Sequence, residues 1–412
     1  MVTFTRCATR VAAVGAWLLL LAPASLAAPL LDASRTAISF GRDAAGVEFV
    51  QPLFLTNVGD APLAFAAFAI TGKDQADYRV AGPCTSSQVL VPGGRCRLDV
   101  VGNPNTSPSS ATLTIQSISA GGTIQVALSA TPSFDITRGL YATPPWIDFD
   151  HYQPVGTTSA PQVLTLTNPE HIALVLESVT ISGKHAADFS MTSNCVPGNR
   201  YVNGDSCATT ISFTPGGTGP RAAEITFLGH PPTIPAVPGF VPLTYSLTGI
   251  GGVAPLHDVV EYYNASLDHY FITWMPAEQA NLDAGKTPTR WSRTGYSFHA
   301  YAAPQSDASP VCRYYLPPEF GDSHFFGRGT AECDATGVAH PAFVLEDPQF
   351  MQMILPTAGA CPAGTTPIYR VFSNRPDANH RYMTDRAQRD AMVAHGWLAE
   401  GDGPDRVVMC AP

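Results

Sequence analysis

Short runs of alternating apolar and polar residues dominate the first 250 positions. Residues 111–115 (Ala-Thr-Leu-Thr-Ile) and 123–128 (Thr-Ile-Gln-Val-Ala-Leu) place every second side chain on one apolar face, as in a half-buried strand. Turn-forming residues separate such runs, among them residues 57–60 (Asn-Val-Gly-Asp) and 92–94 (Pro-Gly-Gly). Strands this short, at this spacing, predict antiparallel β-sandwiches.

The N-terminal half of the chain matches itself at one constant offset, which indicates a tandem duplication. The features that keep this register are a Leu-Thr-Asn run (55–57 on 166–168), a Gly-Lys pair (72–73 on 183–184), an Asp-aromatic pair (77–78 on 188–189), two cysteines (84 and 96 on 195 and 207) and a proline (104 on 215). Two immunoglobulin-like domains are therefore predicted, at residues 28–135 and 136–250.

These motifs resemble the Hydin-type (ASH) immunoglobulin-like domains of bacterial surface proteins. The resemblance rests on residues 38–41 (Ile-Ser-Phe-Gly), the Leu-Thr-Asn-x-Gly-x-x-Pro-Leu run at 55–63 and the Val-Pro-Gly-Gly-x-Cys run at 91–96. It covers about residues 34–250 in two copies, and the second copy departs from it in two turns. It implies spacing, anchoring or protein contact, and no catalytic residues.

A second repeat begins after a Gly-rich segment, residues 251–257, that is predicted to be a linker. A strand start followed by an Asp or Asn, a His and an aromatic residue occurs three times, at 268–270 (Asp-His-Tyr), 322–325 (Asp-Ser-His-Phe) and 379–382 (Asn-His-Arg-Tyr). Its histidines, His269, His324 and His380, recur at nearly equal spacing. This spacing predicts equivalent positions in three units, at about 258–310, 311–366 and 367–412. One unit cannot bury its own apolar face, so the three are expected to form one pseudo-threefold domain at 258–412.

Each unit is predicted to contain a hairpin, a short helix in at least two units, and a second hairpin. The fold class expected for the whole chain is mainly β: two tandem immunoglobulin-like sandwiches and a C-terminal pseudo-threefold β-rich repeat domain with short helices.

The C-terminal repeat resembles an uncharacterised bacterial tandem-repeat family with the signature Tyr-Arg-x-x-Asn, Asp-His-Phe-Tyr-Thr-Thr and Gly-Trp-x-x-Glu-Gly. Residues 268–273 (Asp-His-Tyr-Phe-Ile-Thr) and 396–401 (Gly-Trp-Leu-Ala-Glu-Gly) carry the resemblance, which covers about residues 258–412. The third unit departs from it by one extra residue between Arg370 and Asn374. Such repeats accompany secreted hydrolases, which implies a binding module for carbohydrate.

The N-terminal segment, residues 1–27, is predicted to be a signal peptide. Arg6 and Arg10 precede an apolar run at 11–21, and residues 25–27 (Ser-Leu-Ala) form a small-x-small cleavage site. A run of that length is too short to span a bilayer, which takes about 20 residues, so no membrane span is expected. The mature protein is predicted to be exported to the periplasm, the cell surface or the medium.

The cysteine count supports export. Without Cys7, eight cysteines remain, and an even number in an exported chain indicates disulfides. The Cys-x11-Cys spacing and the repeat boundaries favour the pairs Cys84–Cys96, Cys195–Cys207, Cys312–Cys333 and Cys361–Cys410. Because no Cys-x2-Cys pair with the spacing of a zinc site occurs, we expect no metal, and no motif indicates a cofactor.

The composition of the chain and the absence of known catalytic motifs exclude several classes of function. The chain has 23 basic and 33 acidic residues and a formal charge of −10, so nucleic-acid binding is not expected. The nucleophile elbow Gly-x-Ser-x-Gly, His-Glu-x-x-His, a phosphate-binding loop and a dinucleotide fingerprint are all missing from the sequence. We therefore expect a protein that is not an enzyme.

Aromatic residues are dense in the repeat domain, and aromatic planes next to polar groups suit sugar rings. Core packing is the alternative role for any single ring, and packing or turn capping is favoured for the repeated histidines over a three-histidine metal site. The candidate ligand-binding residues are Tyr263, Asp268, His269, Trp274, Trp291, Asp322, His324, Asn379, His380 and Trp397.

The function predicted from these features is non-enzymatic binding. The two immunoglobulin-like domains would act as a stalk for a repeat head that binds glycan or a cell-envelope polymer through weak, repeated sites. The alternative is a structural or protein–protein adhesion module whose head docks a partner protein. A third hypothesis is that the protein is a hydrolase that acts on polysaccharides or esters.

Overall fold

The structure is a computed structural model that describes residues 28–40, 48–103, 108–118, 122–130, 140–168, 173–230, 232, 243–287 and 290–412. The predicted signal peptide, residues 1–27, and the repeated proline at position 104 lie outside the described residues. The described chain is mainly β, with immunoglobulin-like sandwiches and few short helices, which confirms the predicted fold class.

The first sandwich contains nine strands in two sheets. They are β1 (Leu31–Ala33), β2 (Ala37–Ser39), β3 (Phe49–Asn57), β4 (Leu63–Thr71), β5 (Tyr78–Ala81), β6 (Val89–Leu90), β7 (Arg95–Gly102), β8 (Ser109–Ser117) and β9 (Thr123–Ala130). One sheet has the order β1-β3-β7-β5 and the other β2-β9-β8-β4-β6. Inward residues such as Leu53, Leu98, Leu113 and Val126 form one buried core between them.

The second sandwich repeats this topology. Its strands are β10 (Tyr141–Thr143), β11 (Trp146–Gln153), β12 (Gln162–Thr167), β13 (Leu174–Ser182), β14 (Phe189–Ser193), β15 (Arg200–Tyr201), β16 (Ser206–Phe213), β17 (Gly219–His230) and β18 (Leu243–Gly251). The sheet orders, β10-β12-β16-β14 and β11-β18-β17-β13-β15, correspond strand for strand to those of the first sandwich. The duplication seen in the sequence is therefore a duplication of the fold.

A buried asparagine explains the repeated Leu-Thr-Asn motif. Asn57 ends β3, is fully buried, and its side-chain amide donates to the carbonyl oxygens of Ala61 (2.8 Å) and Leu90 (2.9 Å). Asn168 follows β12 and donates in the same way to the carbonyl oxygen of Tyr201, at 2.9 Å. The asparagine therefore ties the strand end to a short neighbouring strand in both copies, β6 in the first and β15 in the second, and a buried amide requires such partners.

The repeat domain, which we call the head, contains ten strands and three helices. They are β19 (Leu256–Asn264), β20 (His269–Thr273), α1 (Pro276–Asp283), β21 (Ser292–Tyr301), β22 (Ser309–Leu316), β23 (Ser323–Arg328), α2 (Gly329–Ala339), β24 (Val344–Met353), β25 (Thr366–Phe372), β26 (His380–Met383), α3 (Arg386–Ala394), β27 (Leu398–Glu400) and β28 (Val407–Ala411). The sheets have the orders β20-β19-β21-β24-β22-β23 and β26-β25-β27, with β28 paired to β25.

Each unit of the head is a hairpin, a helix and one further strand. The further strand pairs with the first strand of the hairpin, so every unit is a small sheet with its first strand in the centre. In unit three the further strand is interrupted, and its two parts, β27 and β28, both pair with β25. The prediction of a second hairpin in each unit is wrong for this reason, and the helix occurs in all three units. At α3 the side chain of Asp385 accepts from the amides of Ala387 and Gln388, a regular N-terminal cap.

The three units meet at a central axis. His269, Ser323 and Asn379 lie there, one from each unit, and all are buried. The Asn379 amide nitrogen donates to Ser323 Oγ (2.8 Å) and to the carbonyl oxygen of Tyr270 (3.0 Å), and its Oδ1 accepts from the Tyr270 amide (2.9 Å). One asparagine therefore joins all three units.

The segment predicted as a linker, residues 251–257, is short and partly buried. Strand β18 continues to Gly251, β19 begins at Leu256, and Ala254 between them is 2% exposed. The Ala254 amide donates to Gln305 Oε1 at 2.8 Å. The head therefore packs directly on the second sandwich.

Tyr152 contacts all three domains. It lies at the end of β11 in the second sandwich and is 9% exposed. Its hydroxyl donates to the carbonyl oxygen of Gly93 in the first sandwich (3.3 Å), and its backbone exchanges hydrogen bonds with Pro304 (2.8 Å) and Ser306 (3.0 Å) in the head. Arg95 of the first sandwich forms an ion pair with Asp148 of the second, with 2.6 Å between Arg95 Nη1 and Asp148 Oδ1.

We expect Tyr152→Ala to destabilise this junction by about 3–5 kcal/mol, because it leaves a cavity where a buried ring packs. Thermal unfolding should shift to lower temperature, and limited proteolysis should cleave first near residues 251–257. Tyr152→Phe is the matched control, since it loses only the hydroxyl bond and should cost about 1 kcal/mol. Wild-type unfolding and proteolysis of the alanine variant would contradict a role for this ring in coupling the domains.

The described residues include four disulfides: Cys84–Cys96, Cys195–Cys207, Cys312–Cys333 and Cys361–Cys410. They are the pairs that the spacing favoured, and they indicate an oxidising environment. Among the described residues, the helices are all too short or too polar to cross a membrane.

Candidate ligand-binding cleft

A cleft of about 390 Å³ opens between the first and second units of the head. Its walls come from β20 and α1 of unit one and from β22, β23 and β24 of unit two. The residues that line it are Leu267, His269, Tyr270, Phe271, Glu278, Asn281, Leu282, Thr287, Trp291, Arg313, Asp322, Ser323, His324 and Glu346. The volume lies in the range of about 300–1,000 Å³ typical of small-ligand sites.

One wall of the cleft is aromatic. Trp291, directly before β21, and Phe271 on β20 are half-buried, with ring centroids 5.9 Å apart. Phe271 also packs against His324 of unit two, at 4.8 Å between centroids. The two rings are inclined at 61° to each other and provide partly exposed apolar faces at the cleft.

The charged side of the cleft is built around Arg313. Its Nη1 donates to both carboxylate oxygens of Glu278 (2.9 and 3.0 Å), and its Nε lies 2.8 Å from Glu346 Oε2. The guanidinium also lies 4.5 Å from the centre of the Phe350 ring. Glu278 comes from unit one and Glu346 from unit two, so one buried arginine holds both sides of the cleft together.

Two hydrogen-bonded pairs complete the polar rim. His324 Nε2 lies 3.3 Å from Glu346 Oε2, and this bond, together with the nearby charge of Arg313, lowers the pKa of Glu346 below its ordinary value. The Tyr315 hydroxyl donates to Asp322 Oδ1 at 2.7 Å, which raises the pKa of Tyr315 to about 12. Both carboxyls therefore accept hydrogen bonds at the rim of the cleft.

The same arrangement recurs between units two and three. Arg370 pairs with Glu332 (2.7 Å) and Glu400 (2.7 Å), as Arg313 does with Glu278 and Glu346. Phe325 packs against His380 at 5.0 Å, as Phe271 does against His324. Burial, with the charge of Arg370, lowers the pKa of His380 to about 3, so this histidine is neutral.

Between units three and one the charges are exchanged. Glu261 stands where the other units have Arg313 and Arg370, and it pairs with Arg381 at 2.8 and 2.9 Å. Arg381 stands where the others have phenylalanine, and its guanidinium lies 4.0 Å from the centre of the Tyr270 ring. At these equivalent positions, each interface therefore contains an arginine–carboxylate pair and a ring contact.

The prediction that the three histidines occupy equivalent positions is wrong, because His269 lies one residue before the position that His324 and His380 occupy in their units. Strand register places Tyr270, His324 and His380 opposite Tyr263, Tyr315 and Phe372. Asp268 and Asp322 occupy the same turn, with φ of 53° and 49°, and the residues after them are His269 and Ser323. His269 therefore lies at the axis, where the other units have Ser323 and Asn379, and no three-histidine cluster forms among the described residues.

The structure brings four of the predicted site residues to the cleft: His269, Trp291, Asp322 and His324. Tyr263 and Asp268 lie next to the cleft and take part in a different set of contacts. The Tyr263 hydroxyl donates to Asp268 Oδ1 at 2.9 Å, and Arg375 Nη1 donates to Asp268 Oδ2 at 2.5 Å. Burial favours the neutral form of Asp268, but these two hydrogen bonds outweigh it and lower the pKa of the carboxyl.

The other four candidates do not line the cleft and make contacts within the head. Trp274 donates through Nε1 to the Phe350 carbonyl oxygen (2.6 Å) and stacks on His257 at 4.0 Å. Trp397 packs edge-on against Tyr270 at 6.3 Å. Asn379 lies at the axis and His380 in the second interface, as described above.

Sequence reasoning missed four residues that shape the cleft: Phe271, Glu278, Arg313 and Glu346. The repeat alignment contained a signal for two of them, because Arg313 corresponds to Arg370 and Glu346 to Glu400. The contact between Arg313 and Glu278 joins different units, so the sequence of a single unit does not indicate it.

Among the described residues, no group of three histidine, cysteine or acidic side chains is arranged to hold a metal ion. The arginine in the cleft is already paired with two carboxylates. The cleft is therefore suited to a ligand with an apolar face and several hydrogen-bonding groups.

Residues 240–353 and 354–404, less than half of the chain, match a family described as a domain of unknown function, DUF5648. No curated protein matches the chain.

Several solved structures are similar at low identity. A protein of unknown function from Porphyromonas gingivalis W83 is 14% identical, with 53% of this chain and 99% of that chain covered and a TM-score of 0.21. The secreted serine protease VesC from Vibrio cholerae is 15% identical, with 46% and 47% covered and a TM-score of 0.22. The ASH/PapD-like domain 7 of human CEP192 is 15% identical, with 25% and 84% covered and a TM-score of 0.19.

Proposed function

We propose that this chain is an exported, non-catalytic carbohydrate-binding protein whose head binds sugar in the cleft between units one and two. The two immunoglobulin-like domains, of the ASH type, would carry the head. The observation that supports this most strongly is the pairing of Trp291 and Phe271 with acceptor groups in one cleft. Sugar rings present apolar C–H faces and hydroxyl edges, and such a cleft complements both.

The state of the carboxylates supports binding rather than cleavage. Glycoside hydrolysis uses two carboxyl groups, one of them with a raised pKa so that it can act as an acid. Here Glu278 and Glu346 both pair with Arg313, and the hydrogen bond from His324 lowers the pKa of Glu346. Neither feature suits a general acid.

The residues at the three interfaces of the head favour one binding site over three equal sites. The counterpart of Trp291 in unit two is Phe343, which packs against Phe320 (5.5 Å) and His340 (4.6 Å). The counterpart of Asp322 in unit three is Ala378. At the interface of units three and one, Arg375 contacts both counterparts, lying 5.7 Å from the centre of the Trp397 ring and 2.5 Å from Asp268 Oδ2. We therefore propose binding at this cleft with a stoichiometry of one, instead of the repeated sites expected from the sequence.

We expect Trp291→Ala to weaken sugar binding at least about tenfold, which corresponds to about 1.4 kcal/mol, because a stacking surface is lost. The ligand would first be found by glycan array and polysaccharide pull-down with the intact, disulfide-bonded chain. Affinities of the wild type and the variant would then be compared by calorimetry.

Tyr296→Ala is the matched control for this experiment. Tyr296 lies on β21 near Trp291, is 42% exposed and does not line the cleft. Its variant should bind as the wild type does. Equal binding by Trp291→Ala and wild type would exclude the cleft as the site. A stoichiometric protein partner with no sugar ligand would favour adhesion instead.

A further inference from the structure

We infer that the cleft selects sugars with a free amino group, such as polymers of glucosamine, over sugars that carry carboxylate or sulfate groups. This rests on the proposed function, since it names the ligand class for the same cleft. Three features of the cleft support this preference: the charge of the lining residues, the unengaged acceptor atoms and one buried histidine.

The lining carries an excess of negative charge. Glu278, Asp322 and Glu346 contribute three carboxylates, and Arg313 is the one lysine or arginine among the described lining residues. Arg313 is already engaged, through Nη1 with Glu278 and through Nε with Glu346. An anionic ligand would therefore meet repulsion without a free cation to offset it, whereas an ammonium group would be attracted.

Two carboxylates keep an acceptor oxygen available. Glu346 uses Oε2 for both Arg313 and His324, and Asp322 uses Oδ1 for Tyr315. Glu346 Oε1 and Asp322 Oδ2 have no partner among the described residues. Both side chains are reachable from the solvent, so each can accept a hydrogen bond from a bound ammonium or hydroxyl group.

A buried histidine in the same cleft independently indicates a ligand. His269 is 1% exposed, and neither ring nitrogen has a hydrogen-bond partner within the described part of the chain. The nearest carboxylate oxygen, Asp377 Oδ2, is 3.6 Å from Nε2, beyond hydrogen-bond distance. Buried polar groups are almost always hydrogen-bonded, and a sugar hydroxyl in the cleft could satisfy this ring.

The test compares three oligomers of equal length: glucosamine, N-acetylglucosamine and galacturonic acid. Each is titrated calorimetrically into the intact chain at pH 6 and low ionic strength, where the free amine is charged. We expect the glucosamine oligomer to bind at least tenfold more tightly than the acetylated one, and galacturonate not to bind. Added salt should reduce the preference, because it screens the carboxylates.

Glu346→Gln should reduce the preference for the glucosamine oligomer to less than threefold, because the uncharged amide no longer attracts an ammonium group. Asp322→Asn is a second variant for the same test, in case the first disturbs Arg313. Glu319→Gln is the matched control, because Glu319 is an exposed acid of unit two outside the cleft lining.

The outcomes separate this inference from the proposed function. Equal or tighter binding of the acetylated or anionic oligomer, lost in Trp291→Ala, would overturn the amine preference and leave carbohydrate binding standing. No binding of any of the three oligomers, together with an empty glycan array, would overturn both.

Discussion

Glu261→Gln is expected to destabilise the head by about 3–5 kcal/mol, because it breaks a buried ion pair. The Glu261 and Arg381 side chains are 3% and 5% exposed and are joined by two hydrogen bonds of 2.8 and 2.9 Å. Without the carboxylate, the arginine would remain as an uncompensated charge in the interior. Chemical denaturation of the wild type and the variant, followed by near-ultraviolet circular dichroism, measures the loss.

Two controls show whether burial of the charge is the cause. The double variant Glu261→Met/Arg381→Leu removes both charges and should recover most of the stability, because no charge is left unpaired. Arg386→Gln breaks an exposed pair with Asp405, whose side chains are 57% and 41% exposed, and should cost at most about 1 kcal/mol. If Glu261→Gln cost no more than Arg386→Gln, the closing interface would not depend on this pair.

Asn379→Leu is expected to destabilise the head by about 3 kcal/mol, because it removes the side chain that joins the three units and leaves buried polar groups unsatisfied. Asn379 is fully buried, and its loss would leave the Tyr270 amide, the Tyr270 carbonyl and the Ser323 hydroxyl without these partners. Each unsatisfied buried group costs about 1–3 kcal/mol, partly offset by the burial of leucine. Hydrogen exchange at the Tyr270 amide should become faster in the variant.

Ser323→Ala is the control for the axis, since it removes one hydrogen bond and should cost about 1 kcal/mol. Wild-type stability and unchanged exchange in Asn379→Leu would contradict the role of this residue. The sequence suggested Asn379 as a candidate ligand residue, and the structure places it between the three units.

The sandwiches could be predicted from the sequence because their signals are local. Strands β8 and β9 show the alternation directly, and the turns and motifs of the first copy recur at a constant offset in the second. The buried Asn57 and Asn168 explain why one of the repeated motifs ends in asparagine. Such features need no knowledge of contacts between distant residues.

The cleft was predicted less completely because its residues meet across units. Trp291 and His324 were candidates on residue type alone, but Arg313 and Glu278 become neighbours only when units one and two pack. The one-residue shift at His269 was also hidden, because identical residues at nearly equal spacing suggested equivalence. Strand register, which depends on pairing between strands, decides that point.

The charge exchange at Glu261 and Arg381 had the same origin. A repeat alignment treats each unit separately, whereas the closing interface is formed by the first strand of unit one and the second strand of unit three. The residues that differ from the repeat there compensate one another in space. From the sequence alone, Glu261 and Arg381 would have been interpreted as unrelated departures from the repeat.

The central claim is that sugar occupies the cleft beside Trp291, and nitrogen-15 NMR of the indole groups tests it most directly. The chain has five tryptophans, one of them in the predicted signal peptide, so the mature protein should give four indole signals. Trp291→Phe assigns the signal of interest. When an oligosaccharide identified by the glycan array is added, the Trp291 signal should move while those of Trp146, Trp274 and Trp397 stay. Movement of another signal instead, or of none at saturating ligand, would contradict the claim.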